Sequence, residues 1–174
     1  MEKKAEVFWF TGRPGSGKTT LINAIIPILK KQKKVEVLDG DELREWLSPE
    51  AGFSKEGRER HIRRVIRISE MLSRNGIVTL VSLVSPYKMI RGEARNFIGN
   101  SFKEIYVHSS VETCVKRDPK GHYAKALKGE IKDMTGIQDS YEEPSNPELV
   151  VNTEKQTVEE SVQSVLNFIN SEFE

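Results

Sequence analysis

Residues 5–19 read Ala-Glu-Val-Phe-Trp-Phe-Thr-Gly-Arg-Pro-Gly-Ser-Gly-Lys-Thr, and this stretch decides the fold. From Ala5 to Thr11 the β-branched and aromatic side chains are those of a buried strand. Gly12-Arg13-Pro14-Gly15-Ser16-Gly17-Lys18-Thr19 then matches G-x-x-x-x-G-K-[ST]. A helix is expected next, from about Gly17 to Gln32, with a kink at Pro27. Strand, glycine-rich turn and helix form the context in which this pattern binds phosphate. Glycines let successive backbone N–H groups turn inward around phosphate oxygens, and the helix that follows offers the positive end of its dipole. Lys18 has the reach for β- and γ-phosphates, and the Thr19 hydroxyl suits Mg²⁺. Thr20 is grouped with this cradle.

Outward from the cradle, Lys33 to Asp39 reads as a second strand that ends in Asp39-Gly40-Asp41. Two carboxylates there could serve Mg²⁺ and accept a proton from an attacking hydroxyl. Asp41 also precedes a helix start at Glu42-Leu43-Arg44, so a helix cap is an equally local reading. Ser54 to Asn75 is expected to be a helix with Ile62, Val65, Ile66 and Leu72 on one face and Gly76 as its stop. Ile77 to Val84 is a nearly continuous apolar run, as in a central parallel strand covered on both faces. Lys103 to His108 and Glu148 to Asn152 supply two short strands. A last helix, from about Val158 to Ile169, turns Val158, Ser161, Val162, Val165, Leu166 and Ile169 toward the sheet. The alternation implies an α/β fold: a three-layer, doubly wound, five-stranded parallel sheet in one domain, with ligands beyond the carboxyl ends of the strands. Residues 117–146 are rich in charge, glycine and proline and poor in apolar periodicity. So long an irregular stretch within a compact domain reads as a functional lid.

The chain of 174 residues carries 27 Lys+Arg against 26 Asp+Glu, so no global basic field marks a nucleic-acid binder. Its apolar runs fall far short of the roughly 20 residues a membrane span needs. Met1 to Lys4 lead straight into strand-like residues without a leader's apolar stretch, and the cytoplasm is the expected location. Cys114 is alone, which excludes an intrachain disulfide. Arg60 and Arg67 read as a solvated helix face, and Lys30, Lys31, Lys33 and Lys34 as cations complementing a helix C-terminus. Phe8, Trp9 and Phe10 read as core and His108 and Cys114 as structural; whether Trp46 packs under a site is not decided by the sequence. Asp133-Met134-Thr135-Gly136 satisfies D-x-x-G, but no Asn-Lys-x-Asp guanine-reading motif occurs, which argues against a regulatory GTPase. A silent binding module would be expected to lose Lys18, Thr19 or Asp41, and all three are present.

Several segments, taken in order with the cradle, resemble the adenylylsulfate (APS) kinase family of P-loop kinases. They are Leu38-Asp39-Gly40-Asp41-x-Leu43-Arg44, Gly52-Phe53-Ser54-Lys55-Glu56-x-Arg58, Ile62-Arg63-Arg64, Ser85-Pro86-Tyr87, Arg117-Asp118-Pro119-Lys120-Gly121-x-Tyr123, and Gly129 to Lys132 through Thr135-Gly136-Ile137 to Tyr141-Glu142-x-Pro144. The resemblance implies a P-loop kinase fold with a lid. It also implies transfer of the γ-phosphoryl of MgATP to the 3′-hydroxyl of adenosine 5′-phosphosulfate (APS), in sulfate activation, by an enzyme often dimeric. On the donor side it implies contacts from Gly12 to Thr20 and from Arg117, with Thr19 and Asp39 at the metal. On the acceptor side it makes Asp41 the base beside Asp39, and Arg44 and Arg58 the ligands of the phosphosulfate, helped by Val84 and Lys88. It stacks Phe53 on the acceptor adenine, places His61 and Met134 near that nucleotide, and brings Lys120 and Lys125 to phosphates on closure. Ser85 matches a serine labelled in the family as a phosphoserine intermediate. The chain departs from the family pattern at Gly57, where aspartate is usual, and at His61, where asparagine is. Met134 and His122 depart as well. These departures fit a second reading, a related kinase acting on the 3′-hydroxyl of another nucleotide such as a modified cytidine diphosphate.

Overall fold

The computed structural model describes residues 4–173, so residues 1–3, read above as lacking leader character, lie outside it together with residue 174. In chain order the elements are β1 (Val7–Thr11), α1 (Lys18–Leu29), β2 (Val35–Asp39), α2 (Gly40–Leu47), α3 (Lys55–Arg74), β3 (Val78–Ser82), α4 (Lys88–Ile98), a short 3₁₀ turn (Gly99–Ser101), β4 (Phe102–His108), α5 (Val111–Arg117), α6 (His122–Leu127), β5 (Leu149–Asn152) and α7 (Val158–Ser171). The strands form one five-stranded sheet in the order β2-β3-β1-β4-β5, every pairing parallel. β1 is the central strand, so the turn that follows it emerges at the middle of the sheet's carboxyl edge.

The pleat of β1 explains the two cores. Phe8 and Phe10 point to one face and pack with Leu21, Ile22 and Ile25 of α1 and Val165 and Ile169 of α7. Val7 and Trp9 point to the other, against Ile62, Val65 and Ile66 of α3 and Ile90, Ala94 and Ile98 of α4. Each fully buried aliphatic or aromatic side chain contributes about 1.5–3 kcal/mol relative to exposure, which fixes β1 and the turn beyond it. The helix starts are defined by side chains: Ser54 Oγ accepts from Gly57 N on α3, and Thr157 with Glu160 closes a reciprocal capping box on α7. Gly76, at φ 74°, follows the end of α3 as expected. Pro27 lies in the last turn of α1.

One expectation changes and one helix is added. Val158, placed toward the sheet above, is exposed at the first position of α7, before the helix has turned its face inward. α4 was not assigned from the sequence, although Ile90, Ala94 and Ile98 repeat at the spacing of one helix face. Tyr87-Lys88, just after Ser85-Pro86, reads as loop unless that repeat is noticed.

Candidate active site

A cavity of about 910 Å³ opens beyond the carboxyl ends of the central strands, at the upper end of the range for ligand sites. From the glycine-rich turn and α1 it takes Pro14, Gly15, Gly17, Lys18, Thr19 and Thr20, and from the end of β2 and α2 it takes Asp39, Asp41 and Arg44. Phe53 and Arg58, Val84 and Ser85, and Arg117, Lys120 and Met134 complete the expected lining.

α1 begins where Gly17 adopts φ 106°, a left-handed conformation that a side chain would resist. That places Lys18 at the first helical position, with its ammonium turned back on the turn itself. Nζ donates to Gly12 O (2.8 Å) and Arg13 O (3.0 Å). Burial drives the Lys18 pKa down to about 8, against the attraction of Asp41 and Asp39.

The two carboxylates after β2 divide their work. α2 starts at Gly40, so the capping residue is Asp39, whose Oδ1 accepts from Asp41 N (3.0 Å) and Glu42 N (3.5 Å). The cap reading of Asp41 is thereby replaced: Asp39 still has extended backbone, whereas Asp41 is already inside the helix. The freed Asp41 side chain pairs with Lys120 Nζ from the far side of the cavity. Burial alone would raise the Asp41 pKa; the hydrogen bond and charge of Lys120, with His122 and Lys18 behind it, outweigh burial and lower it. One turn along α2, the Arg44 guanidinium lies 4.8 Å from the centroid of the Phe53 ring and donates to Gly52 O at 2.6 Å. Phe53 is 58% exposed, so much of its ring remains available to a ligand.

Arg58 faces the cavity from α3, but its guanidinium is engaged with residues 117–146. Nε donates to Phe53 O at 2.7 Å, and the terminal nitrogens donate to Thr135 Oγ1 and Asp133 O. That segment forms the short helix α6, and its Tyr123, Ala126 and Met134 build a small apolar cluster with Cys114 of α5. Tyr123 Oη donates to Pro14 O at 2.9 Å, joining the cluster to the phosphate turn. At its start, Arg117 holds the Thr153 carbonyl at 2.6 Å and the Thr153 hydroxyl at 3.0 Å.

The stretch Val84–Ser85 forms another part of the cavity wall. Ser85 has φ 45°, an uncommon value for a residue with a side chain. Its hydroxyl is buried and accepts from the Trp9 indole N–H at 2.9 Å.

Six expected residues are not on the cavity wall, among them Lys125, which is exposed on α6. Gly12 and Ser16 form the backbone of the turn behind it. Arg13 reaches the other way, donating to Ser109 O and Glu143 and lying over the Tyr141 ring. Lys88 begins α4, where its backbone N–H donates to Glu142. His61 is fully buried behind α2, with Nδ1 3.0 Å from Ser48 Oγ. Burial, reinforced by the charge of Arg44, drives its pKa down to about 4, so the ring is neutral. Trp46, left open by the sequence, is 82% exposed. Gly57 also has a packing role: a Cβ there would come within 1.7 Å of Ala51 O, so α3 seats directly on the 48–52 backbone. Tyr123 and His122 of α6, and Thr153, Gln156 and Val158 after β5, line the cavity without having been singled out as binding residues. Thr153 could have been found, because it directly follows the carboxyl end of a strand.

The family profile described as adenylylsulphate kinase matches residues 4–152. A probable adenylyl-sulfate kinase of Aeropyrum pernix is 46% identical over 99% of this chain and 96% of its own. The adenylyl-sulfate kinase of a Picosynechococcus species is 47% identical over 95% of this chain and 94% of its own. Among solved structures, the Mycobacterium tuberculosis APS kinase CysC in complex with AMPPNP and APS superposes with a TM-score of 0.90 at 34% identity, over 97% of this chain and 99% of that one.

Proposed function

The chain belongs to the adenylylsulphate kinase family, and from that premise we propose that it transfers the γ-phosphoryl group of ATP to the 3′-hydroxyl of APS, giving 3′-phosphoadenylyl sulfate and ADP. One observation carries the reading: a single cavity runs from the phosphate turn, past Asp41, to the Arg44–Phe53–Arg58 corner. Donor phosphates and a second, anionic, aromatic substrate can therefore meet at one carboxylate.

On the donor side, the amides from Gly15 to Thr20 and the Lys18 ammonium hold the triphosphate, and Arg117, Thr153, Gln156 and Val158 offer a surface for the base. On the acceptor side, Phe53 stacks on the adenine, and Arg44 and Arg58 take the phosphosulfate. Arg58 does so by exchanging its present partners in residues 117–146, which act as a lid. Asp41 accepts the proton of the 3′-hydroxyl once Lys120 has moved from its carboxylate to a phosphate oxygen. A lowered pKa makes Asp41 a weak base, which suffices here, because a metaphosphate-like transition state demands little proton removal. Met134 anchors the lid through its apolar cluster. Ser85 acts as part of the wall: its hydroxyl is already used by Trp9, and direct in-line transfer needs only positioning and charge.

Mg²⁺ fits the residues present. Thr19 brings a hydroxyl to the cavity and Asp39, with Oδ1 in the cap, retains a second carboxylate oxygen, a hard-oxygen donor set. Bound there, the ion would supply positive charge against the negative charge that develops on the phosphates.

The test is ATP turnover coupled to APS, set against a panel of other nucleotides that includes modified cytidine diphosphates. The expected result is a kcat/KM for APS at least about 100-fold above the rest, a discrimination of about 2.7 kcal/mol. Equal turnover of a cytidine compound would refute the choice of acceptor.

A further inference from the structure

One buried arginine outside the expected site joins the cavity wall to the lid. Arg91 of α4 is 3% exposed, and each guanidinium nitrogen goes to a different segment. Nε lies 2.8 Å from Glu104 Oε1 on β4. Nη1 donates to Ser85 O at 2.5 Å, and Nη2 donates to Glu142 O at 2.5 Å. The two segments bridged in this way are tied again beside the guanidinium. Glu142 N donates to Pro86 O at 2.8 Å. Tyr141, whose ring centroid is 5.7 Å from the guanidinium carbon, shares a hydrogen bond with Thr11 Oγ1, which donates to Val84 O.

We propose that Arg91 is a positioning residue for the acceptor. Its planar fork sets the spacing between the Val84–Pro86 wall and the Tyr141–Glu142 root of the lid. The two contacts of the fork differ in kind from the ion pair. Glu104 balances the buried charge, a matter of stability. The paired N–H groups fix two carbonyls at one distance and in one plane, which an ammonium cannot reproduce. Ser85 is where this matters, because its left-handed backbone persists only if its surroundings over-determine it. The fork on its carbonyl and the indole on its hydroxyl do so. Arg91 touches no substrate; it acts through the wall that does.

This inference rests on the two-substrate reading above, and its test is read with whichever acceptor the wild type turns over best. Arg91→Lys keeps a cation beside Glu104 and loses the fork. The expected result is a rise in acceptor KM of about 10- to 100-fold, as for a misplacement of about 1 Å, with the KM for ATP within about twofold. The charge-neutral pair Arg91→Gln with Glu104→Gln guards against a failure to fold, since it leaves no buried charge unpaired, and it should show the same split. A fall in Tm with both KM values unmoved, or an equal rise in both, in either protein overturns the proposal. Failure of APS itself as acceptor for the wild type would instead strike the choice of acceptor, and leaves the Arg91 comparison intact on the better substrate.

Discussion

At the scale of single residues, Asp41 and Lys18 are coupled through the same cavity but answer different tests. Asp41→Ala should lower kcat by about 10²- to 10⁴-fold, the usual worth of a positioned base, with ATP affinity nearly unchanged by calorimetry. Lys18→Ala should weaken ATP binding as well. Lys18 adds a pH dependence. Its pKa is about 8 without nucleotide, and phosphate oxygens beside the ammonium must raise it, so binding takes up a proton. The protonated form binds, so affinity is complete below pH 8 and declines as pH rises through that value. Calorimetry at pH 8 in two buffers of different ionisation enthalpy should report that uptake; a buffer-independent heat would show Lys18 already charged. Ser85→Ala should keep kcat within about tenfold while lowering Tm, because it strands the buried Trp9 N–H at a cost of about 1–3 kcal/mol. A phosphoserine intermediate predicts instead complete loss. The sequence revealed Lys18 and Thr19 because their motif is contiguous. It could not say which of Asp39 and Asp41 caps α2, since that turns on one residue's backbone angles.

At the scale of elements, the junction of α2, the 48–52 loop and α3 holds most of what could not be read. Gly57 and His61 were expected beside the acceptor because they depart from a family pattern in a binding segment. Both instead serve packing: Gly57 lets α3 touch the Ala51 carbonyl, and His61 meets Ser48 at the C-cap of α2. Burial of this kind comes from tertiary neighbours, which spacing along the chain does not encode. Gly57→Ala should therefore destabilise by about 1–3 kcal/mol, as overpacking does, a Tm loss on the order of 2–12 °C for a chain of this length. Thermal unfolding checks it; an unchanged Tm would mean that the 48–52 backbone yields freely. Strands were easier to see than α4, because a continuous apolar run needs no choice of period.

At the scale of the molecule, the strand order puts β1 between β3 and β4, so the donor and acceptor surfaces proposed above fall on either side of one central turn. The lid is tethered at both roots, by Arg117 on Thr153 and by Arg13 and Arg91 on residues 141–143. If residues 117–146 close as proposed, the motion should be confined to about residues 118–140. Hydrogen exchange should slow there when ADP and APS are bound together, with little change in the roots; protection spread evenly over the sheet would contradict a tethered lid. The two tryptophans add an optical consequence. Trp9 is sealed in the core against Ser85, whereas Trp46 stands in water on the helix that carries Asp41 and Arg44. Their emission should separate by colour, with iodide quenching only the redder component, so the unlabelled protein carries a built-in gauge of what that helix does during turnover.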